Sequence, residues 1–173
     1  MMTIDGLPKN KDHFVRLIRF LEQVLLICAR LGIDPVVNGS LAVFAYTRNH
    51  NLDVNDIDLA ISEADFERLR LALEADGIRC RLREWHVLQV ESDDLKIDFD
   101  SIEYWHKDLP IERSTLRLET ATVSVVSLLA AKTLYQRGLE ATARRLEDGN
   151  NRRKHASYQA KNAALHSVDE QHH

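Results

Sequence analysis

Two short segments of the chain combine alternating apolar residues with pairs of aspartates. Asp56 and Asp58 alternate with apolar residues in the first segment, and Asp98 and Asp100 do so in the second. On a β-strand, side chains two residues apart lie on the same face, roughly 7 Å from each other. Carboxylates at that spacing repel each other unless a cation lies between them. A water-exposed strand face would explain a single pair, but two pairs on separate strands indicate a divalent-metal site.

A glycine–serine pair, Gly39–Ser40, stands between a short apolar segment and an apolar stretch of helical composition. We expect residues 35–37 to form a buried strand and residues 41–47 to form a helix with Ser40 as its N-cap. The start of such a helix offers free backbone N–H groups and the positive end of the helix dipole, which suit phosphate oxygens. A glycine–serine pair is usually only a helix cap, but an acidic strand nearby favours a phosphoryl-transfer site.

Three segments in this order resemble the nucleotidyltransferase superfamily of the DNA polymerase β type. They are Asn38–Ala42 with the glycine–serine pair, Asn55–Ile61 with the Asp-x-Asp strand, and Lys96–Phe99 with a later carboxylate. The resemblance implies Mg²⁺-dependent transfer of a nucleoside monophosphate from a nucleoside triphosphate to a hydroxyl acceptor, with release of pyrophosphate. Small members of the superfamily act on aminoglycoside or lincosamide antibiotics or belong to toxin–antitoxin systems. The chain is therefore identified as a small antibiotic-type or minimal nucleotidyltransferase.

The resemblance also assigns the site residues. Three carboxylates would be catalytic and would hold Mg²⁺, two ions in all: Asp56, Asp58 and Asp98. Asp98 would act as the third metal ligand or as the base toward the acceptor hydroxyl, and Asp100 on the same face stays the alternative third carboxylate. Three residues would bind ATP or another triphosphate: Gly39 and Ser40 at the β- and γ-phosphates, and Lys132 on a later helix. Lys154, Trp85 and Trp105 are further candidates, although solvation or packing explains each of them.

The expected acceptor is the hydroxyl of a small molecule, and a protein hydroxyl is the next alternative. Nucleic acid is disfavoured because the chain, with a formal net charge of −4, has no large basic surface. The competing hypothesis is a non-catalytic nucleotide- or partner-binding module, such as an antitoxin-like component. The set of three carboxylates favours the enzyme, because a module without catalysis does not need them. Whether the chain forms a homodimer stays open.

The composition is that of a globular protein. Of the 173 residues, 45% are hydrophobic and 29% are charged, which suits one folded core. No apolar run approaches the roughly 20 residues of a membrane span. The N-terminus has no apolar signal region, so we expect a cytoplasmic protein. The two cysteines, Cys28 and Cys80, are expected to be packing residues rather than catalytic or metal-binding ones.

The hydrophobic periodicity predicts an α+β fold with a helical C-terminal end, and the resemblance implies a mixed β-sheet flanked by helices, as in nucleotidyltransferases. Helices are expected at residues 12–31, 41–47, 63–76 (with Ser62 as N-cap), 124–136 and 151–165. Strands are expected at residues 35–37, 56–62, 78–83, 86–91, 95–101 and 115–123. Residues 103–114 are expected to form a loop that Pro110 breaks. The expected domains are a nucleotidyltransferase-like catalytic domain at 1–120 and a helical C-terminal segment at 121–173.

Overall fold

A computed structural model of the chain describes residues 1–108 and 112–168. It contains an eight-stranded mixed sheet with helices packed on it, which confirms the predicted α+β class. The strands are β1 (Met2–Thr3), β2 (Val36–Asn38), β3 (Ile57–Ile61), β4 (Arg79–Arg83), β5 (Val87–Ser92), β6 (Leu95–Ser101), β7 (Arg113–Arg117) and β8 (Thr122–Val126). The helices are α1 (Lys11–Arg30), α2 (Gly39–Thr47), α3 (Phe66–Ala75), α4 (Ile102–Trp105), α5 (Leu128–Ala143) and α6 (Gly149–His166).

The order of the strands across the sheet is β1-β7-β8-β2-β3-β6-β5-β4. The central strand β3 runs antiparallel to β2 on one side and parallel to β6 on the other. The register of the β3–β6 pair places Asp58 directly opposite Asp98 and Ala60 opposite Asp100. Two aspartates that are 40 positions apart in the sequence are thereby neighbours in space.

Alternation along β3 and β6 separates the core from the acidic face. In β6, buried apolar residues alternate with half-buried Lys96, Asp98 and Asp100, as the sequence predicts. The buried side chains, Ile97 and Phe99 among them, join one core with the apolar face of α1. Burying apolar area contributes roughly 25 cal/mol per Å², so the core holds the strand in the register that keeps the aspartates out of it.

The segment expected to be a single strand at residues 115–123 is two strands, and that prediction is wrong. The chain turns between β7 and β8, where the backbone N–H of Leu118 donates to the carbonyl of Ala121 at 2.8 Å. The Glu22 carboxylate of α1 accepts hydrogen bonds from the backbone N–H and the hydroxyl of Thr120, each at 2.6 Å. This long-range bond stabilises a turn that local sequence does not mark.

The helix expected at residues 124–136 begins later, at Leu128. Residues 122–126 instead form β8, which lies inside the sheet between β7 and β2. The Ser127 hydroxyl accepts a hydrogen bond from the backbone N–H of Ala130 at 3.1 Å and so caps α5. The division of the chain at residue 120 stays a prediction, and the helical end of the structure starts after Ser127.

Three smaller expectations also change. The first turn of the helix expected from residue 63 is a 3₁₀ turn, Glu63–Asp65, and Ser62 does not cap it, since its hydroxyl donates to Glu103 at 3.2 Å. Part of the loop expected at 103–114 is α4, which Ser101 caps, and the break at Pro110 lies outside the described residues. The edge strand β1 is two residues long, too short to show a periodicity. Among the described residues, no helix has the length and apolar character to cross a membrane.

Candidate active site

Helix α2 begins directly against the acidic strand, and Gly39 makes this approach sterically allowed. Gly39 has φ +64, in the left-handed region, and a Cβ there would lie 2.3 Å from Oδ2 of Asp58. Only glycine avoids both the backbone strain and the clash. The start of α2 therefore lies at close range to the Asp58 carboxylate.

Ser40 lies in the first turn of α2 and is not its N-cap, contrary to the prediction. The N-cap is Asn38, whose side chain makes no capping bond. Asn38 pairs with Asp58 across the β2–β3 ladder, and its side-chain nitrogen is buried without a hydrogen-bond partner among the described residues. The orphan N–H groups of this turn are therefore open to an anionic ligand.

A cavity of about 590 Å³ opens beside this turn. It brings together five of the six residues assigned to the site from the sequence, and Lys132 is the exception. The side chains that line it come from the sheet, from α2 and from α4 to α6: Asn38, Gly39, Ser40, Asp56, Asp58, Val87, Lys96, Asp98, Asp100, Trp105, His106, Leu134, Tyr135, Lys154, Ser157, Tyr158 and Lys161.

The electrostatics of the cavity are those of crowded carboxylates. Burial raises the pKa of Asp58 well above its usual range, and the charges of Asp100, Asp56 and Asp98 raise it further. Burial also raises the pKa of Asp98 to about 6, although Lys96 opposes this rise. Lys96 Nζ lies 3.4 Å from Oδ2 of Asp98. Without a bound cation, the ionised forms of these carboxyl groups are therefore disfavoured in the folded protein.

The donor set fits a hard divalent cation. Carboxylate oxygens are the protein ligands that Mg²⁺ prefers, and Oδ1 of Asp98 is buried with no hydrogen-bond partner in the described part of the chain. However, across residues 1–108 and 112–168 no three Asp, Glu, His or Cys side chains converge closely enough to form a ready-made metal cluster. Asp56, Asp58 and Asp98 thus share the cavity without forming a closed cage around an ion.

Two lysines of α6, Lys154 and Lys161, also line the cavity. Lys161 Nζ donates a hydrogen bond to Oγ of Ser40 at 2.8 Å, across 121 positions of sequence. Burial lowers the pKa of Lys161, while Asp56 and Asp58 oppose that shift. Lys154 also lines the cavity, whereas Lys132 on α5 is half-buried and is not among the lining residues.

Sequence reasoning did not find Lys161, although a signal for it exists. Lys154, Tyr158 and Lys161 follow one another at helical spacing (i, i+4, i+7), so they share one face of α6. Such a face is ordinarily a solvated one. Only the packing of α6 against α2 shows that this face is turned toward Ser40.

Two tyrosines join α5 and α6 over the cavity. The rings of Tyr135 and Tyr158 meet edge to face with centroids 5.5 Å apart. Tyr158 packs on Gly138, where an added Cβ would lie 2.8 Å from its ring. Burial, followed by the charge of Asp58, raises the pKa of both tyrosines, which keeps them protonated as hydrogen-bond donors. Close helix packing at Gly138 thus positions the aromatic part of the wall.

The matched family model is that of aminoglycoside-2''-adenylyltransferase, and the match covers residues 20–151. No curated protein matches the chain. Several solved structures share its fold. ANT(2'')-Ia in complex with adenylyl-2''-tobramycin is 13% identical, with 87% of this chain and 97% of that chain covered and a TM-score of 0.52.

Two further structures are similar in the same way. The lincosamide antibiotic adenylyltransferase LnuA, bound to lincomycin, is 10% identical over 83% of this chain and 96% of that chain, with a TM-score of 0.51. A candidate nucleotidyltransferase from Thermotoga maritima is 16% identical over 75% of this chain and 89% of that chain, with a TM-score of 0.56. At such identities the likeness establishes the fold, and the predicted nucleotidyltransferase-like sheet is confirmed.

Proposed function

Because the chain belongs to the aminoglycoside-2''-adenylyltransferase family, we propose that it transfers AMP from ATP to a hydroxyl group of an aminoglycoside-like amino sugar. Family membership makes the chain a nucleotidyltransferase, as the sequence predicts, and sets aside the alternative of a non-catalytic binding module. The identity of the nucleotide, the metal and the acceptor are the finer parts of the proposal. One observation carries the phosphate and metal site: Gly39 packs the start of α2 against Asp58, with Asp98 opposite Asp58 in register.

We assign the phosphates of ATP to the start of α2. The backbone N–H groups around Gly39 and the hydroxyl of Ser40 are suitable donors for phosphate oxygens. Lys161 already contacts Ser40, and Lys154 lines the same cavity, so both cations are available to a triphosphate there. The role of Lys132 in nucleotide binding stays a prediction from the resemblance.

We assign Mg²⁺ to Asp56 and Asp58, with Asp98 as the third carboxylate and two ions as the expected number. Two observations support this assignment. Among the described residues, the buried Oδ1 of Asp98 has no hydrogen-bond partner, and the pKa of Asp58 is raised. A bound cation would stabilise both carboxylates in their ionised form. When bound, Mg²⁺ would neutralise the phosphate charge that develops in the transition state.

The chain's own residues supply the proton chemistry of the proposed reaction. The acceptor hydroxyl oxygen forms a bond to the α-phosphorus of ATP, the bond from that phosphorus to the β-bridging oxygen breaks, and pyrophosphate leaves. Asp98 takes the proton that the hydroxyl loses.

The acceptor we propose is cationic. Asp100 lines the cavity beside the three carboxylates proposed to hold Mg²⁺, and a carboxylate that no metal ion neutralises attracts an amino sugar that carries ammonium groups. A cytoplasmic location, where ATP is available, belongs to the same proposal. Homodimerisation stays a prediction.

The proposal is tested by incubating the protein with ATP labelled at the α-phosphate, Mg²⁺ and one acceptor at a time. Tobramycin and lincomycin are suitable acceptors, and the Asp58→Asn variant is the matched control. We expect label on tobramycin with the unaltered protein and none with the variant. Label on lincomycin alone would refute the amino-sugar acceptor, and label on the protein itself would favour a protein hydroxyl.

A further inference from the structure

Trp105 is a large aromatic residue that the fold leaves exposed on the wall of the cavity. It is the last residue of α4, it lines the cavity, and it is 44% exposed. Removing aromatic surface from water is favourable, and tryptophan has more of it to bury than other side chains. A tryptophan that remains exposed in a cavity is therefore well suited to pack against a ligand.

The indole ring is held in place by two contacts. Its Nε1–H donates a hydrogen bond to the backbone carbonyl of Trp85 at 2.9 Å. Tyr104 meets it edge to face with ring centroids 5.0 Å apart, and Tyr104 in turn stacks on His86 at 4.0 Å. A ring held in this way has little conformational freedom to lose when a ligand binds. Because its one N–H is already used, the indole offers a ligand only apolar and π contacts.

Trp105 and the glycine–serine turn lie on different sides of the aspartates. Ser40 follows β2, whose last residue pairs with Asp58, and Asp58 pairs with Asp98 on β6. Helix α4 instead follows Ser101, which is three residues beyond Asp98 along β6, roughly 10 Å away at 3.3 Å per residue. The aspartates therefore lie between the turn and Trp105, and all of them line one cavity.

The geometry of the proposed reaction determines which substrate meets Trp105. In an in-line displacement, the attacking and leaving oxygens are on opposite sides of the phosphorus atom. With the β- and γ-phosphates at Gly39 and Ser40 and the α-phosphate at the aspartates, pyrophosphate leaves toward α2. The acceptor hydroxyl therefore approaches from the other side of the aspartates, where Trp105 lies.

We propose that Trp105 is a specificity-determining residue, and that a sugar ring of the acceptor packs its C–H face on the indole. This inference rests on the proposed function, because it names how the acceptor ring is held. The C–H bonds on one face of a sugar ring form an apolar surface that matches the face of an indole. The contact involves no charge, so it distinguishes a ring-shaped acceptor from a linear polyamine.

The chain has two tryptophans, so single-tryptophan variants report on each ring separately by fluorescence. Trp85→Phe leaves Trp105 as the only tryptophan and keeps the backbone carbonyl that holds its indole. Trp105→Phe is the matched control, because it leaves Trp85, which is exposed and is not among the cavity-lining residues. We expect tobramycin to change the emission of Trp105 in a saturable way, and neither spermine nor ATP with Mg²⁺ to do so.

Calorimetric titration of tobramycin without ATP measures the strength of the contact. Trp105→Ala should raise the Kd for tobramycin about tenfold, Trp105→Phe should raise it less, and Trp85→Phe should leave it unchanged. A purely structural role would weaken ATP binding as well, whereas the KM for ATP should stay within about twofold in all three variants.

Three outcomes would overturn the inference. They are an unchanged Trp105 emission at saturating tobramycin, an equal change in Trp85 emission, and a change in Trp105 emission with spermine or with ATP alone, which would place the adenine rather than the acceptor on the indole. In each case the proposed function stands if labelled AMP still reaches tobramycin. If the unaltered protein neither binds nor modifies tobramycin, the proposed function fails, and the inference fails with it.

Discussion

Replacing Asp98 with asparagine should stabilise the metal-free protein while removing its activity. Asp98 is 17% exposed, and burial raises its pKa from 3.8 to about 6. Each pKa unit corresponds to about 1.4 kcal/mol. Ionising this carboxyl therefore destabilises the folded state by up to about 3 kcal/mol at pH 8, a penalty that Asp98→Asn removes. If Asp98 is the base, turnover should fall roughly 10²–10⁴-fold.

The pH dependence of this gain has a definite sign. The folded state holds the Asp98 proton more tightly than the unfolded state, so the penalty is absent below pH 3.8 and complete above about pH 6. The variant's advantage in free energy of unfolding should therefore grow from about 1.6 kcal/mol at pH 5 to about 3 kcal/mol at pH 8. Urea unfolding in the presence of a chelator measures both values.

Asp94→Asn is the matched control, since Asp94 is exposed and Arg16 lowers its pKa. That variant should show no gain in stability as the pH rises. Lys96 loses its partner in Asp98→Asn but is 39% exposed and can be hydrated. An Asp98→Asn variant that is less stable than the unaltered protein at pH 8, or equally stable at both pH values, would refute the electrostatic reasoning.

Three further predictions concern the turn, the metal and the cationic wall. Gly39→Ala should lower the free energy of unfolding by at least about 1–2 kcal/mol, because of the positive φ alone. The variant should also lose transfer activity, because the added Cβ displaces the Asp58 carboxylate. Near-normal turnover would contradict this prediction. Mg²⁺ at about 100 times its Kd should raise the Tm of the unaltered protein by roughly 5–10 °C. The double variant Asp56→Asn, Asp58→Asn should not show this shift. A full shift in the double variant would refute the assignment of Mg²⁺ to these aspartates. Lys161→Met should raise the Kd for ATP about tenfold in calorimetric titration, since a charge-assisted contact is lost. Lys132→Met should do so only if the role inferred from the resemblance holds.

Local patterns in the sequence predicted the two acidic strands and the glycine–serine turn at Gly39–Ser40. Alternation on β3 and β6 placed the aspartates on one face, because a strand repeats every two residues and its apolar face must be buried. Glycine before serine at a strand end marked the turn. These features depend on neighbours a few positions apart, which a single sequence displays.

The positions of Asp98 and Asp100 relative to Asp58 depend on strand pairing. Asp98 and Asp100 share one face of β6, so periodicity alone cannot choose between them. The parallel register of β3 and β6 puts Asp98 opposite Asp58 and Asp100 opposite Ala60. That register is set by the packing of the whole core, not by the residues around Asp98. Asp98 is thus the ladder partner of Asp58, whereas the charge of Asp100 raises the pKa of Asp58 more than that of Asp98 does, so Asp98 as the third carboxylate stays a prediction.

The remaining parts of the site come from tertiary contacts alone. Lys161 reaches Ser40 across 121 positions, His106 faces Asp100 after a short helix, and Glu22 stabilises the β7–β8 turn that divided a predicted strand. No local preference encodes these contacts, since each forms only when distant elements pack. The sequence by itself determined the acidic strands and the glycine–serine turn before α2, and its resemblance to the superfamily supplied the reaction class. The tertiary structure decided which lysines and tyrosines share their cavity, because packing rather than periodicity brings these side chains there.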